Sequence, residues 1–193
     1  MFQINADFRL MHPNVKVTNF SADVILQVYE KYSAKANNNT KSFDDEEPDW
    51  DKMTTAHITL LKLLPPTAKG RKKSERDGVV SAIDRLILFH KTGTPLDNAP
   101  IKTAQPCLLA VGPNKAAISS YFIAVEKKVL PIDATDSSAA FDTLFKCHFV
   151  FNTNFDTNLS MYYNFLQEFY YKMESNVRFT ARMREVRAWL TQI

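Results

Sequence analysis

Residues 137–171 constrain the fold of this chain more than any other segment, because they combine two helical patterns with a high density of aromatic side chains. The inner face of the first predicted helix carries Phe141, Leu144, Phe145, His148 and Phe149. The second helix is predicted to begin at Asp156, and its apolar positions step by three or four residues: Leu159, Tyr162, Leu166, Phe169 and Met173. The short Asn/Thr connection between the two predicts antiparallel packing. A third helix from about Arg178 completes a predicted C-terminal antiparallel helical trio.

The rest of the chain predicts three further helices and one small sheet. The helices are expected over residues 21–33, 51–64 and 75–91, where apolar side chains recur at helical spacing. β-forming residues at 107–111, 121–126 and 129–132 predict an antiparallel three-stranded meander, with Pro131 on an edge strand. The fold class is therefore α+β, mostly helical with a small antiparallel three-stranded sheet and the C-terminal helical trio.

A polar, acidic stretch at residues 34–50 indicates a boundary. It contains three consecutive asparagines and most of an acidic block, a composition typical of flexible linkers. The sequence thus predicts an N-terminal arm and helix at 1–33, an acidic flexible linker at 34–50, and a single α+β domain at 51–193.

The formal charge of +3 conceals a strong asymmetry along the chain. Residues 44–51 hold six acidic residues, and without them the charge becomes +9. The first basic cluster consists of Lys69, Arg71, Lys72, Lys73 and Arg76. The second consists of Arg178, Arg182, Arg184 and Arg187. Clusters of one sign attract polyanions, so both are candidate polyanion-binding sites.

The sequence indicates a soluble protein inside the cell. No apolar run approaches the roughly 20 residues that cross a bilayer, and the N-terminus lacks a secretory pattern. The two cysteines, Cys107 and Cys147, fit a reducing compartment as free buried thiols better than as a disulfide. We expect a cytoplasmic or nuclear location and no membrane partner.

Residues able to carry reaction chemistry are few. Cys147 and His148 are adjacent, so on a helix their side chains point in different directions. Cys107 can form a nucleophile–base dyad with His148 only if the fold brings them together. The favoured alternative is that Cys107 and His148 are both buried in the core. The four histidines lack zinc-site spacing, and the four glycines form no phosphate loop. The sequence predicts no catalytic residue, no metal and no cofactor.

An aromatic surplus lies off the main stripe of the second C-terminal helix, at Tyr163, Phe165, Tyr170 and Tyr171. A helix that is apolar on more than one face is either buried between layers or docks a partner. Both alternatives stay open at the level of sequence, and the four residues are a candidate protein interface.

Several phrases from residue 48 onward resemble a family of fish proteins labelled sterile alpha motif domain-containing protein 3-like. They are DWDKMTTAHITLLKLLPPTAKGRKK, FHKTGTPL, QPCLLAVG, YFIAV with VLPID, AAFDTLFKCHFVF, YYNFLQEFYY and RMREVRAWL. The resemblance covers about three quarters of the chain and concerns the family's shared C-terminal region, without the sterile alpha motif itself. It implies no activity, cofactor or catalytic residue.

Taken together, the patterns predict a non-enzymatic protein-interaction module with a partner of unknown identity. The alternative is a sequence-nonspecific nucleic-acid-binding module that uses the basic loop and the arginine-rich last helix. The sequence does not indicate an oligomeric state.

Overall fold

The computed structural model describes residues 3–36, 50–66, 78–174 and 176–193. Its helices are α1 (Ile4–Met11), α2 (Ala22–Ala36), α3 (Lys52–Leu63), α4 (Val79–Leu86), α5 (Ser137–Val150), α6 (Ser160–Phe165) and α7 (Ala181–Thr191). A π-helical turn, Leu166–Tyr170, continues α6. The strands are β1 (Ile87–Lys91), β2 (Cys107–Gly112), β3 (Ser120–Val125) and β4 (Lys128–Pro131). The fold is α+β. Helices pack on one face of the sheet, and the long connection between β1 and β2 packs on the other.

Within the described residues the sheet has four strands in the order β1-β2-β3-β4. The antiparallel pairs β2–β3 and β3–β4 confirm the predicted meander, and Pro131 lies on the edge strand β4. The prediction of three strands in a wholly antiparallel sheet is wrong, because β1 adds to β2 in parallel, with Ile87 opposite Leu108.

The missed strand lies where a helix was predicted over residues 75–91. In the structure α4 ends at Leu86 and the chain turns directly into β1. A short apolar run such as Ile87-Leu88-Phe89 satisfies helical spacing and also suits a buried strand, so periodicity alone cannot separate the two. Hydrogen bonding to the fully buried β2 stabilises residues 87–91 as a strand rather than a helix.

The two faces of the sheet pack against different layers. One face contributes Ile87, Leu108, Ala110, Tyr121 and Ile123 to the main core beneath the helices. The opposite face forms a smaller cluster, in which Leu88, Cys107 and Leu109 pack against Ile101 from the β1–β2 connection. Alternation of side chains along each strand produces this division.

Aspartates cap the starts of α3 and α5, and one of them, Asp51, also joins the two helices. The Asp51 carboxylate caps α3 by accepting from the backbone N–H groups of Met53 at 3.0 Å and Thr54 at 3.1 Å. Asp136, one residue before the predicted cap at Ser137 or Ser138, caps α5. The Ser137 hydroxyl instead donates to the Asp51 carboxylate at 2.6 Å, which joins the two helix starts.

The N-terminal helices belong to the same core as the rest of the chain. Ile4 and Phe8 of α1 and Ile25 and Val28 of α2 are buried in the main cluster. Residues 3–33 are therefore packed against the body rather than set apart as an arm. Most of the predicted acidic linker, residues 37–49, lies outside the described residues.

The C-terminal helices begin later than predicted. Asp156 does not cap α6, which starts at Ser160; its carboxylate accepts instead from Arg85 at 3.2 Å and Thr103 at 2.9 Å. The last helix, α7, starts at Ala181, capped by the Thr180 hydroxyl. Of these two helices, only α7 begins with a side-chain cap.

Candidate functional site

All four aromatic residues proposed as interface anchors are buried. Tyr163, Phe165, Tyr170 and Tyr171 are between 0 and 6% exposed. The ring of Tyr171 stacks on Phe145 at 3.7 Å, between ring centroids. The sequence left open whether these side chains are buried between layers or dock a partner. The structure shows that they are buried, so they are not exposed anchors.

The cysteines are free and buried, and neither forms a nucleophile–base pair. Burial raises the pKa of both the Cys107 and Cys147 thiols to about 12, so each keeps its proton near neutral pH. Burial also lowers the pKa of His148 to about 4, and its Nδ1 donates to the Leu144 carbonyl at 3.0 Å. In the part of the chain that the structure describes, no hydrogen bond joins Cys107 to His148. This geometry provides no activated thiolate.

A second buried histidine, His57, lines a cavity of about 500 Å³. Its ring is stacked between Phe20 and Phe141, with centroid distances of 4.0 and 3.9 Å. Its Nδ1 is hydrogen-bonded to the Tyr162 hydroxyl at 2.7 Å, and the tautomer of the ring decides which of the two groups donates. Burial raises the pKa of the Tyr162 hydroxyl well above its ordinary value, so the hydroxyl keeps its proton.

The electrostatics of His57 do not suit acid–base catalysis near neutral pH. Burial lowers its pKa to about 3, against the opposing charge of Asp51. A general base needs a pKa close to the working pH. The carboxylate of Asp142, which also lines this cavity, is occupied by the Lys146 ammonium and by the Tyr171 hydroxyl. The other carboxylate of the lining, Asp136, accepts from the Ala139 N–H at the start of α5. Both carboxylates that line the cavity among the described residues are therefore already hydrogen-bonded.

Three arginines of the second basic cluster lie on α7, and Arg178 precedes it. We call Arg178, Arg182, Arg184 and Arg187 the basic surface. Arg178, Arg184 and Arg187 are exposed, and Arg182 is half-buried. The guanidinium of Arg182 lies 4.7 Å above the Trp189 ring, which stacks in turn on Tyr32. Stacking of this kind fixes the position of a cation that would otherwise move freely.

One contact brings the basic surface to the end of α3. Arg182 Nε donates to the Leu63 carbonyl oxygen at 2.7 Å. Leu63 is the last residue of α3, and the described chain stops three residues later, at Pro66. In the sequence the first basic cluster follows directly; its five residues, Lys69, Arg71, Lys72, Lys73 and Arg76, lie outside the described residues. The contact therefore fixes one arginine of the basic surface at the C-terminal end of α3.

A groove beside β1 is a second surface, which the sequence analysis missed. It has a volume of about 480 Å³, and its walls come from α3, α4, β1, Trp50 and Lys115. The only sequence signal for it is the apolar run Ile87-Leu88-Phe89, which was assigned to a helix. Recognising that run as an edge strand would have suggested the groove.

Among the described residues, no group of three or more histidine, cysteine, aspartate or glutamate side chains is placed to hold a metal ion. Nor does any helix in those ranges combine the length and apolar character needed to cross a membrane.

The fold and the two surfaces define an α+β protein with a basic helix and an open groove at a sheet edge. Comparison with protein-family models, curated proteins and solved structures finds no match to this chain.

Proposed function

We propose that this protein is a non-enzymatic interaction module whose basic surface binds a polyanion, with nucleic acid as the first ligand to test. The observation that carries this proposal is the 2.7 Å hydrogen bond from Arg182 to Leu63, which holds α7 against the end of α3. It fixes one of the four arginines of the basic surface beside the end of α3. Arginine side chains neutralise phosphates and release their counterions, so four arginines on and beside one helix can bind several phosphates together.

The local ion pairs of the basic surface leave it free to bind. Arg182 contacts Glu185 at 2.7 Å, and Arg187 lies 4.0 Å from Glu168, both at partly exposed positions. Exposed pairs of this kind contribute about 0 to 1 kcal/mol each, so a phosphate can replace the carboxylate at little cost. The Arg182 hydrogen bond to a backbone carbonyl is retained, because it uses Nε alone.

Binding of this kind should not discriminate sequence. Proteins that bind single-stranded nucleic acid stack bases on exposed aromatic side chains. The aromatic residues of the C-terminal helices are mostly packed inside the core and are not exposed for stacking. Phosphate contacts position a ligand without reading bases. We therefore expect similar affinities for DNA and RNA of different sequences and a strong dependence on salt.

The test is fluorescence anisotropy of labelled single- and double-stranded DNA and RNA at two salt concentrations. The variant is Arg178→Ser/Arg184→Ser/Arg187→Ser, which removes three exposed charges. The matched control removes three exposed charges elsewhere: Lys16→Ser, Lys91→Ser and Lys128→Ser. A loss of about 0.9 in the salt slope per lost phosphate contact is expected for the arginine variant. Equal weakening by both variants would indicate a net-charge effect and overturn the proposed site, and no binding at low salt would overturn the function.

A protein partner is the second candidate function. The observation that favours it is the apolar groove beside β1, because the aromatic residues of the C-terminal helices are buried and the groove is open.

A further inference from the structure

The outer edge of β1 is unpaired in the part of the chain that the structure describes. β1 lies at the end of the sheet and pairs on one side only, with β2. An edge strand presents backbone N–H and C=O groups that another extended chain can bind. Natural proteins commonly protect such edges, so an open one next to apolar walls is a candidate docking surface.

The groove lies along this edge rather than over one face of the sheet. Three consecutive residues, Ile87, Leu88 and Phe89, line the same space of about 480 Å³. Successive side chains of a strand point to opposite faces, so three neighbours share one groove only where it runs beside the strand. The groove is therefore positioned to receive backbone as well as side chains.

The walls of the groove are apolar and partly exposed. Val80 of α4 is 59% exposed, which makes it one of the most exposed large apolar residues among those described. Ile83 continues the same wall, and Trp50 packs edge-on against Phe89, with ring centroids 6.2 Å apart. A side chain inserted between these residues would bury apolar area on three sides.

The charges around the groove favour an acidic occupant. Lys62 and Lys115 line it, and the ammonium of Lys115 lies 5.6 Å from the Trp50 ring centre. The one carboxylate among the lining side chains, Asp84, is already bound by the Lys102 ammonium at 2.6 Å. Among the described residues, the lining of the groove consequently carries more positive than negative charge beside its apolar wall.

We propose that the groove binds an extended peptide segment of a partner protein, which adds to β1 as a further strand. In this mode the backbone of an added strand supplies affinity, and pockets for alternate side chains supply specificity. An apolar side chain of the peptide packs against Val80 and Trp50, and a neighbouring carboxylate pairs with Lys62 or Lys115. A nucleic acid satisfies only the lysines, because it lacks groups to pair with the strand edge and to fill the apolar wall.

The test is selection of peptides from a phage-displayed library of random ten-residue segments on the full chain. Selected sequences are expected to alternate apolar residues with glutamate or aspartate. Synthetic copies should lose at least about tenfold in affinity for Val80→Glu and for Lys115→Glu, since central interface contacts have effects of this size. Methylation of alternate backbone nitrogens of the peptide should abolish binding, because it removes the ladder hydrogen bonds.

The control variant is Leu10→Glu, which places the same charge on an apolar residue of α1 that is 82% exposed and should leave peptide affinity unchanged. Val80 lies in the first turn of α4, where an acidic residue suits the helix dipole, so folding is retained and is checked by circular dichroism.

Three results would overturn the proposal: no acidic–apolar consensus, binding indifferent to both groove variants, or displacement of the peptide by single-stranded DNA at physiological salt. Concentration-dependent dimerisation lost in Val80→Glu would assign the groove to a second copy of the chain instead. Because these variants leave the basic surface intact, failure here is distinct from failure of polyanion binding.

Discussion

The carboxylate of Asp51 joins the starts of α3 and α5, and we predict that Asp51→Ala destabilises the protein by about 2–4 kcal/mol. It accepts four hydrogen bonds: two from backbone N–H groups of α3, one from the Thr54 hydroxyl at 2.6 Å and one from the Ser137 hydroxyl at 2.6 Å. Loss of the helix cap costs about 1 kcal/mol. The two hydroxyls together add about 1–3 kcal/mol, which is the cost of one buried donor left without a partner.

Urea denaturation followed by circular dichroism measures this difference. A chain of this length should also lose roughly 2–4 °C in Tm for each kcal/mol. The control Asp97→Ala removes an exposed acidic residue and should stay within about 0.5 kcal/mol of the parent. In a double-mutant cycle with Ser137→Ala, the two changes should be clearly non-additive, because they remove the same hydrogen bond. A loss below about 0.5 kcal/mol for Asp51→Ala, or strict additivity, would refute the reasoning.

The same carboxylate predicts a pH dependence with a definite sign. Burial by itself raises the pKa of Asp51, but its hydrogen bonds to Ser137, Thr54 and Met53 together outweigh burial and hold the pKa below its ordinary value of 3.8. A depressed folded-state pKa contributes stability that is present above the unfolded value and is lost as the pH falls through the folded value. The stability gap between the parent and Asp51→Ala should therefore be constant from pH 7 to pH 5 and shrink below about pH 4. A gap that widens on acidification would contradict this assignment.

Three further predictions concern the interior. Asp156→Ala should destabilise by about 3 kcal/mol in urea titration, because the buried carboxylate accepts from Arg85, from the Thr103 hydroxyl and from the Asn158 N–H; an effect under 1 kcal/mol would show that these hydrogen bonds are unimportant. Tyr163→Glu should prevent cooperative folding, since it places a charge at a site that is 1% exposed; a normal thermal transition of the variant would contradict the burial of this residue. Both Cys107 and Cys147 should react with a thiol reagent only after urea unfolding, because burial raises their pKa to about 12, and rapid labelling of the native protein would contradict the structure.

Local signals explain which helices the sequence could predict. The helix α3 carries its own start at Asp51 and its own stop at Pro65, so its observed bounds match the prediction within a residue or two. The strand β1 carries no such signals, since the same apolar residues suit either structure and only the neighbouring β2 selects one. Long-range pairing is not encoded in a local pattern.

The candidate sites depended still more on long-range contacts. Sequence alone gave the charges of α7, but their approach to the end of α3 rests on a hydrogen bond between Arg182 and Leu63, which are far apart in the chain. The groove beside β1 likewise requires Trp50 and Lys115 to meet the same strand edge. Composition identified which charges were available, and only the fold could show which of them lie together.

The aromatic residues of the C-terminal region show why a helical stripe can mislead. A regular α-helix would place Tyr170 and Tyr171 away from the main stripe, where they could face a partner. In the structure the Tyr171 N–H bonds to the Leu166 carbonyl, five residues back, at 3.0 Å, which is the pattern of a π-helical turn. The wider turn changes the direction of the side chains that follow, and both tyrosines are buried. The π-helical turn thus accounts for the burial of Tyr170 and Tyr171, two of the four residues of the aromatic surplus.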